Sequence, residues 1–250
     1  MEERFFKFSL FLKYPELVHG ISRRHYGDMR FGKIPDSEVV NNREHFFHDL
    51  GVSAQDVVVA RLVHKTRIVA VSNQEKGRGV TDILKAIQET DGLMTFQKDI
   101  YLMVTVADCI PILIYDPVIG AVSVIHAGWR GIIGQIVKIA IEKFKNNGSE
   151  PSNIVAGVGP GICQKHFVVK TDVLDQFLKI YPKVTLVRNH NGYVDLKKAI
   201  AHDFKDQGVS SENIEISQDC PVCQNGKYGS VRKEGKGAPA SAAIIGIKTI

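Results

Sequence analysis

The sequence predicts a single-domain α/β fold built on one large sheet or two packed sheets. Short apolar runs rich in β-branched residues, typical of buried strands, alternate with segments that have the apolar spacing of amphipathic helices. No Pro-, Gly- or Ser-rich linker and no sharp change of composition divides the 250 residues. We therefore treat residues 1–250 as one domain, although the sequence pattern does not fix the order of its strands.

A local phrase that recurs three times supports this alternation. It occupies residues 51–57, 148–154 and 208–214, and each copy follows a helical pattern and precedes an apolar run. In each copy, Gly suits the left-handed position after a helix, Ser with Asn or Asp suits a turn, and Val or Ile opens a strand. The phrase predicts the same helix-to-strand connection at three places in the fold.

Four segments have helical periodicity and plausible ends. In the clearest of them Ile132, Ile136 and Phe144 share one face, and the two C-terminal segments start at Thr171 and Asp195 as expected N-caps. The predicted helices are 37–50, 132–147, 171–180 and 195–207.

The predicted strands are short and apolar and are bounded by turn residues. The longest run is expected to bend at Pro111. The predicted strands are 57–64, 68–72, 101–115, 121–126, 154–157, 184–187, 214–217 and 242–247.

The composition narrows the functional classes. The chain is 44% hydrophobic and 24% charged with a net charge of +5, and its basic residues are scattered, which argues against nucleic-acid binding but suits a small anionic substrate or phosphate. The apolar run within residues 1–14 is too short for a signal peptide and is interrupted by Lys. No apolar run reaches the 18 residues expected of a transmembrane helix. Four cysteines do not form a secreted disulfide pattern. We expect a cytoplasmic protein with reduced thiols and no membrane partner.

Reactive side chains lie inside the apolar strands of residues 104–131. Cys109 and His126 contribute no more to packing than Val or Leu would, and His64 ends another apolar strand. Two imidazoles and a thiolate suit zinc and leave its fourth position open, while copper is an alternative metal for the same ligand types. Two other interpretations stay open: unrelated buried residues, or a Cys109–His126 nucleophile–base pair oriented by Asp108 or His64.

Two motifs in this stretch resemble a known signature. ADCIPILIYDP (residues 107–117) and HAGWRG (residues 126–131) resemble the laccase-domain family, also described as multicopper polyphenol oxidase-like. Members of that family are mainly regarded as zinc-dependent purine nucleoside phosphorylases with adenosine deaminase activity. The resemblance extends over most of the chain through shorter elements: HGISRRHYG (19–27), Asn42-Arg43, Asp91-Gly92 with Thr95, Gly159–Ile162, and Cys220 with YGSVRK (228–233).

The resemblance implies a fold, a cofactor and substrates. It implies a single domain of mixed sheets sandwiched by helices, a homodimer as one expected assembly, and a purine nucleoside and phosphate as partners. It also implies one zinc ion shared by His64, Cys109 and His126, with Asp108 beside the ligand thiol either orienting it, transferring protons or acting as a helix cap.

The substrate would be bound by polar residues of the matching elements. Arg24 is the leading candidate for phosphate because a guanidinium binds two oxygens at once. Asn42 and Arg43 match at positions where capping or a surface ion pair is the ordinary role. Arg130 follows Trp129 at a helix start, where it either stacks on the indole or helps to bind an anion.

Departures from the family pattern put the substrate in doubt. Leu62 replaces a Gln, and Ala238 replaces an Arg, so polar groups are missing. A Cys–His amidohydrolase acting in peptidoglycan precursor editing is one alternative. A copper-loaded polyphenol oxidase activity is another, although none of the nine His residues forms the paired H-x-H segments that a multicopper oxidase needs. A zinc-binding module without catalytic activity is a third.

Cys220 and Cys223 form a C-x-x-C segment without a second pair. A zinc knuckle needs two more ligands, and neither His202 nor His190 has a convincing spacing. We therefore interpret these cysteines as incidental thiols.

Overall fold

The computed structural model describes residues 4–188 and 191–250, and it contains two large mixed sheets and one small sheet. The strands are β1 (Phe5–Phe6), β2 (Leu17–Ser22), β3 (Val57–Val59), β4 (Ile68–Ala70), β5 (Gly92–Thr95), β6 (Tyr101–Val106), β7 (Ile110–Asp116), β8 (Ala121–Ala127), β9 (Val155–Val158), β10 (Val168–Val169), β11 (Thr185–Arg188), β12 (Asn191–Val194), β13 (Ile214–Ile216) and β14 (Ser241–Ile247). The helices are α1 (Asp36–Leu50), α2 (Trp129–Ile133), α3 (Ile136–Lys145), α4 (Thr171–Ile180), α5 (Leu196–Asp206) and α6 (Val231–Glu234).

The two large sheets face each other. One has the order β1-β2-β14-β6-β3 and the other β13-β9-β7-β8-β5-β4, while β10-β12-β11 form the small sheet. Between them, Val104 and Ile245 of the first sheet pack with Leu113 and Val124 of the second in one buried cluster. Alternate residues of each strand therefore face the neighbouring sheet.

Helices cover the outer faces of this sandwich. Phe46 and Phe47 of α1 pack against Ile244 on the outside of the first sheet. Phe144 of α3 and Phe204 of α5 lie in the cluster on the outside of the second sheet. The order of layers is helix, sheet, sheet, helix, which confirms the expected fold of mixed sheets sandwiched by helices.

The recurring helix-to-strand phrase has the predicted conformation. Gly51, Gly148 and Gly208 follow α1, α3 and α5 with φ of 71°, 89° and 92°. A left-handed residue is favourable there only for Gly because a side chain would be strained. The phrases lead into β3, β9 and β13, so this part of the fold is local in origin.

The long apolar run at 101–115 is where the strand prediction is wrong. It forms two strands in different sheets, because β6 pairs with β14 and β3 whereas β7 pairs with β8 and β9. The chain crosses between them at residues 107–109, where Asp108 has φ of 77°. Pro111 lies inside β7, opposite His126, and does not mark the bend. Both faces of both sheets are covered, so the apolar pattern carries no signal of the crossing.

The helix prediction also needs two corrections. The segment 132–147 is interrupted at Gln135, whose φ of 63° separates α2 from α3. Thr171 is the first residue of α4 and not its cap, whereas Asp195 does cap α5 by accepting from the Lys198 N–H at 3.0 Å. Strands β1, β2, β5, β10 and β12 were not predicted. Within the described ranges, no helix has the length and apolar character needed to cross a membrane.

Candidate metal centre and cavity

Three predicted ligands converge although they are far apart in the chain. His64 lies in the loop between β3 and β4, Cys109 in the crossing between β6 and β7, and His126 near the end of β8. Their ligand atoms all lie within 4.8 Å of one another, and the two imidazole rings meet edge to face with centroids 4.7 Å apart. We call these three residues the cavity cluster. The sequence indicated them only as residue types that bind metal, and the fold brings them together.

A buried carboxylate that the sequence analysis did not select organises this cluster. Asp91 Oδ1 lies 2.9 Å from His126 Nδ1, and its backbone carbonyl accepts the His126 N–H at 2.7 Å. Asp91 also accepts backbone N–H groups of the loop that carries the other imidazole, from His64 at 2.8 Å and Lys65 at 2.7 Å. This arrangement engages Nδ1 of His126 and leaves Nε2 as its free ring nitrogen, as in many metal sites with a histidine ligand. The available signal was the match of Asp91-Gly92 to the family pattern.

The same carboxylate holds His64 in an unusual backbone conformation. His64 has φ of 59°, which is uncommon for a residue other than Gly. Its N–H donates to the buried Asp91 carboxylate, so this hydrogen bond fixes the left-handed backbone while the side chain remains exposed. A strained residue in such a loop indicates that orientation of its side chain is under constraint.

The electrostatics of the cluster favour a thiolate. Burial alone would raise the pKa of Cys109, but the neighbouring charges and hydrogen bonds of His126 and His64 lower it to about 6. Burial would lower the pKa of His126, but the Cys109 charge and the Asp91 hydrogen bond raise it to about 9. The protein therefore stabilises a sulfur anion beside a protonated His126 ring. A divalent cation requires the thiolate and takes the place of the imidazolium proton.

The space around the cluster fits a metal ion. A Cβ built on Gly128 would lie 3.3 Å from Cys109 Sγ, 3.5 Å from His64 Cδ2 and 3.7 Å from His126 Cε1. A side chain at residue 128 would fill the space beside all three ligands, so Gly128 keeps this space open. Two imidazole nitrogens and one thiolate match the donor set of a zinc site with an open position.

Asp108, predicted as a catalytic residue, is a hydrogen-bond acceptor at the start of α6. Its Oδ1 accepts from Ser230 Oγ at 2.7 Å, and its Oδ2 accepts from the backbone N–H of Arg232 at 2.7 Å. Both oxygens are engaged, which is the capping role that the sequence left open. Asp108 thus links the crossing that carries Cys109 to the C-terminal part of the chain.

The cavity cluster lies in the wall of a cavity of about 540 Å³. Trp129 and Phe167 supply aromatic surface, and Leu62, at the position of the missing Gln, contributes an apolar side chain. Four arginine residues also line the cavity, namely Arg30, Arg61, Arg130 and Arg232. Of the predicted substrate ligands only Arg130 is among them, and its guanidinium stacks over Trp129 at 4.3 Å from the ring centroid.

The other predicted substrate ligands lie outside this wall. Arg24 donates to Glu234 at 2.6 Å and to the Tyr228 carbonyl. The hydrogen bond from Arg24, with those from the Ser230 N–H and Asn225, lowers the pKa of Glu234 to about 2 against the opposing effect of burial. Asn42 Nδ2 donates to the Asp28 carbonyl at 3.1 Å. Neither residue lines the cavity, so the substrate-binding assignment of Arg24 and Asn42 stays a prediction that the cavity does not support.

Arg43 is a structural residue. Its side chain is 1% exposed. Its guanidinium donates to the carbonyls of Met29, Gly79 and Val80 at 2.7 to 3.0 Å and lies over the Phe31 ring. With those donors engaged and no exposed surface, Arg43 is not available to a substrate, and its prediction as a substrate ligand is wrong.

The C-x-x-C segment is not incidental. Cys220 and Cys223 lie beside Cys163 and His166, and the four ligand atoms are all within 4.8 Å of one another. We call these four residues the loop cluster. The sequence spacing of His202 and His190 excluded them as partners, and His190 lies outside the described residues. The missed signal was the C-x-x-H spacing of Cys163 and His166.

Comparisons with known proteins define the class of this chain. Residues 18–248 match the family model for the multi-copper polyphenol oxidoreductase laccase, and the chain belongs to that family. This confirms the resemblance seen in the sequence.

Individual relatives narrow the class further. The chain is 30% identical to purine nucleoside phosphorylase YlmD of Bacillus subtilis over 92% of this chain and 85% of that protein. It is 33% identical to adenosine deaminase RL5 from an unknown prokaryotic organism, over 74% and 73% of the two chains. Among solved structures, YlmD of Geobacillus stearothermophilus superimposes with a TM-score of 0.92 at 25% identity, covering 99% of this chain and all of that one.

Proposed function

We propose that this protein is a zinc-dependent purine nucleoside phosphorylase that also deaminates adenosine. The observation that carries the proposal is the convergence of His64, Cys109 and His126 on a cavity of about 540 Å³, a size that suits a small-molecule ligand. The names of the relatives above, a phosphorylase and a deaminase, support an enzyme acting on purine nucleosides.

The cavity provides groups for each part of the substrates. Trp129 and Phe167 offer flat apolar surface for a purine. Arg130, with Arg30 and Arg232, lines the cavity, and we transfer the phosphate-binding role from Arg24 to these residues because a guanidinium binds phosphate oxygens in pairs. In phosphorolysis a phosphate oxygen forms a bond to the ribose carbon, the glycosidic bond breaks, and its electron pair leaves with the purine. The arginines orient the phosphate and stabilise its charge.

Zinc is the proposed cofactor, held by the cavity cluster, with copper as the alternative for the same donors. When bound, zinc would supply Lewis-acid chemistry and lower the pKa of water for attack on the adenine ring. Asp91 fixes the ring of His126 and the loop of His64, so the donor atoms are in place before any ligand arrives. The Arg-rich wall favours anionic substrates.

An amidohydrolase with Cys109 as nucleophile is the second candidate, because the lowered pKa of that thiol, about 6, also suits a nucleophile. Alkylation with iodoacetamide separates the two. A metal-held thiolate reacts only after a chelator is added, whereas a free nucleophile reacts at the same rate with and without it. A cytoplasmic location and a homodimeric assembly stay predictions.

The direct test is a chromatographic assay of protein with a measured zinc content. Adenosine, inosine and methylthioadenosine are supplied with and without phosphate. We expect free base to appear only with phosphate, and inosine to accumulate from adenosine. His126→Ala removes both activities, whereas His48→Ala, a matched change at an exposed imidazole on α1, preserves them. Zinc-loaded protein that releases no base and forms no inosine contradicts the proposal.

A further inference from the structure

The loop cluster lies at one edge of the second sheet and is assembled from two neighbouring loops. Cys163 and His166 follow β9, and Cys220 and Cys223 follow β13, which pairs with β9 in parallel. The carboxyl ends of parallel neighbours lie at the same edge, so the two loops meet. We propose that Cys163, His166, Cys220 and Cys223 bind a second, structural zinc ion that is distinct from the one assigned to the cavity cluster.

The separations within the cluster match tetrahedral coordination. With zinc–sulfur bonds of about 2.3 Å and zinc–nitrogen bonds of about 2.0 Å, two sulfurs lie about 3.8 Å apart and a sulfur and a nitrogen about 3.6 Å apart. Cys163 and Cys223 Sγ are 4.0 Å apart. His166 Nδ1 is 3.3, 3.5 and 3.9 Å from the sulfurs of Cys163, Cys223 and Cys220. All six separations lie within 4.8 Å, so the four ligand atoms are close enough to share one ion.

The local sequence and hydrogen bonds are those of a closed site. Two short-spaced pairs, C-x-x-H and C-x-x-C, supply a Cys₃His set, which fills all four positions of zinc and leaves none for substrate. The Cys163 N–H donates to the Cys220 sulfur at 3.3 Å, and the backbone N–H of Cys223 does the same within the C-x-x-C turn. Backbone donors to a sulfur stabilise it as the thiolate that a metal binds.

A buried cation balances the charge of this site. Zinc with three thiolates and a neutral imidazole carries one net negative charge, which needs compensation in a partly buried position. Lys197, 8% exposed, donates its ammonium to the carbonyls of Ser217 and Asp219 at 2.7 Å each and interacts electrostatically with Cys220 and Cys163. The ammonium therefore fixes the loop before Cys220 and also neutralises the sulfur cluster.

The turn that carries two ligands of the loop cluster also contributes to the cavity wall. Ile162 and Phe167, which flank the Cys163–His166 turn, both line the cavity. The guanidinium of Arg232, another lining residue, donates to the His166 carbonyl and lies 5.7 Å from the Phe167 ring. The ion would hold the turn that presents Phe167 and anchors Arg232, without touching the substrate.

Metal analysis of the full chain tests the proposal. We expect the purified protein to contain about two zinc ions, because each cluster holds one. Cys223→Ser should lower this number by about one and lower Tm by about 10 °C, since a bound structural ion stabilises the folded state. Cys109→Ser should also lower the number by about one but leave Tm nearly unchanged. His202→Ala is the control with an exposed imidazole and should keep both ions.

Cobalt spectroscopy and alkylation are done on the wild-type protein, so they test the proposal even if a variant folds poorly. The wild-type protein loaded with Co²⁺ should show strong sulfur-to-cobalt charge-transfer absorption from the loop cluster, and Cys163, Cys220 and Cys223 should resist alkylation until a chelator is added. Zinc contents that are equal in wild type and Cys223→Ser overturn the proposal. A disulfide among these cysteines in the freshly purified protein also overturns it, because it removes two of the ligands. Neither result bears on the cavity cluster, so the proposed enzyme activity is tested separately.

Discussion

The cavity cluster and the loop cluster use the same two residue types in opposite ways. The first has three donors from three distant segments, opens on a cavity, and depends on Asp91 for its geometry. The second has four donors from two short turns and is completed within them. An incomplete donor set with a cavity suits chemistry on a ligand, whereas a complete set suits the stapling of loops. The difference teaches that donor count and surroundings, and not donor type, separate the two roles.

The largest expected effect is a loss of activity when a ligand of the cavity cluster is replaced, compared with a loss of thermal stability when a ligand of the loop cluster is replaced. Cys109→Ser should lower kcat/KM for phosphorolysis by about 1,000-fold or more, with a change of Tm below about 3 °C. Cys163→Ser should lower Tm clearly while retaining measurable turnover at low temperature. Steady-state kinetics and thermal unfolding of the same preparations give both values. A Cys163→Ser enzyme that is as inactive as Cys109→Ser, yet fully folded, would erase the distinction.

Asp91→Asn should weaken the cavity cluster alone. The amide is close to the carboxylate in size but lacks its charge and cannot accept hydrogen bonds on both sides, so we expect metal affinity to fall by about 10- to 100-fold. Competition with a chromogenic chelator measures this affinity. Asp203→Asn is the matched control, since Asp203 is also buried, accepts from the Tyr181 hydroxyl at 2.8 Å and belongs to neither cluster. Equal affinities in the two variants would remove the positioning role of Asp91.

Arg130→Gln should raise KM for phosphate by about tenfold with a smaller effect on KM for the nucleoside, because an anion loses a charged donor. Arg24→Gln should leave KM for phosphate unchanged, because Arg24 is engaged with Glu234. Initial-rate measurements at varied phosphate decide between the assignments from sequence and from structure. The reverse ranking would restore Arg24 as the phosphate ligand.

Gly128→Ala should lower turnover by about fivefold, since its methyl group would press on the Cys109 sulfur at 3.3 Å. Gly226→Ala, with nothing within 4 Å of the added Cβ, is the control and should behave as wild type. An unchanged turnover in Gly128→Ala would show that the space beside the ligands is not needed.

The smallest expected effect is on the pH dependence of the free energy of unfolding. It separates the loss of metal at low pH from acid unfolding caused by His19. Burial and the charge of Lys7 lower the pKa of His19 to about 4, and its Nε2 accepts the Phe8 N–H at 3.0 Å. The unfolded chain therefore binds more protons between pH 4 and 6.5, so this stabilisation is present above pH 6.5 and is lost as pH falls to 4.

The loss attributable to His19 is at most about 3 kcal/mol. Urea unfolding of wild type and His19→Gln at pH 7 and pH 4.5 should show a smaller loss in the variant, because the Gln oxygen accepts the same N–H without titrating. Both proteins keep both clusters, so their difference isolates His19. An equal loss in the two would assign the acid sensitivity to the metal ligands.

Local signals predicted more of the fold than of the site. The Gly-turn-strand phrase and the caps depend on neighbouring residues, so Gly51, Gly148 and Gly208 were found at once. The crossing at residues 107–109 was missed because both sheets are buried on both faces, and the pattern does not change where the chain leaves one for the other.

Site residues also divide into those that the local sequence indicates and those that depend on the tertiary fold. Cys109 and His126 stood out because reactive groups inside apolar strands have no packing advantage. Asp91 was noted only within a family element and not as a site residue, since its role depends on the pairing of β5 with β8. Arg43 was misplaced, and Arg24 and Asn42 do not line the cavity, because residue type alone does not tell whether a polar side chain faces a cavity or links two loops.

Asp91 has a consequence for how this chain can change over generations. One carboxylate restrains the ring of His126 and the backbone of His64, so a lineage that loses it releases both imidazoles at once. Substitutions at these three positions should then be strongly epistatic, with a double exchange costing much less than the two single exchanges added together. Drift of the cavity cluster would proceed in one concerted step and not ligand by ligand.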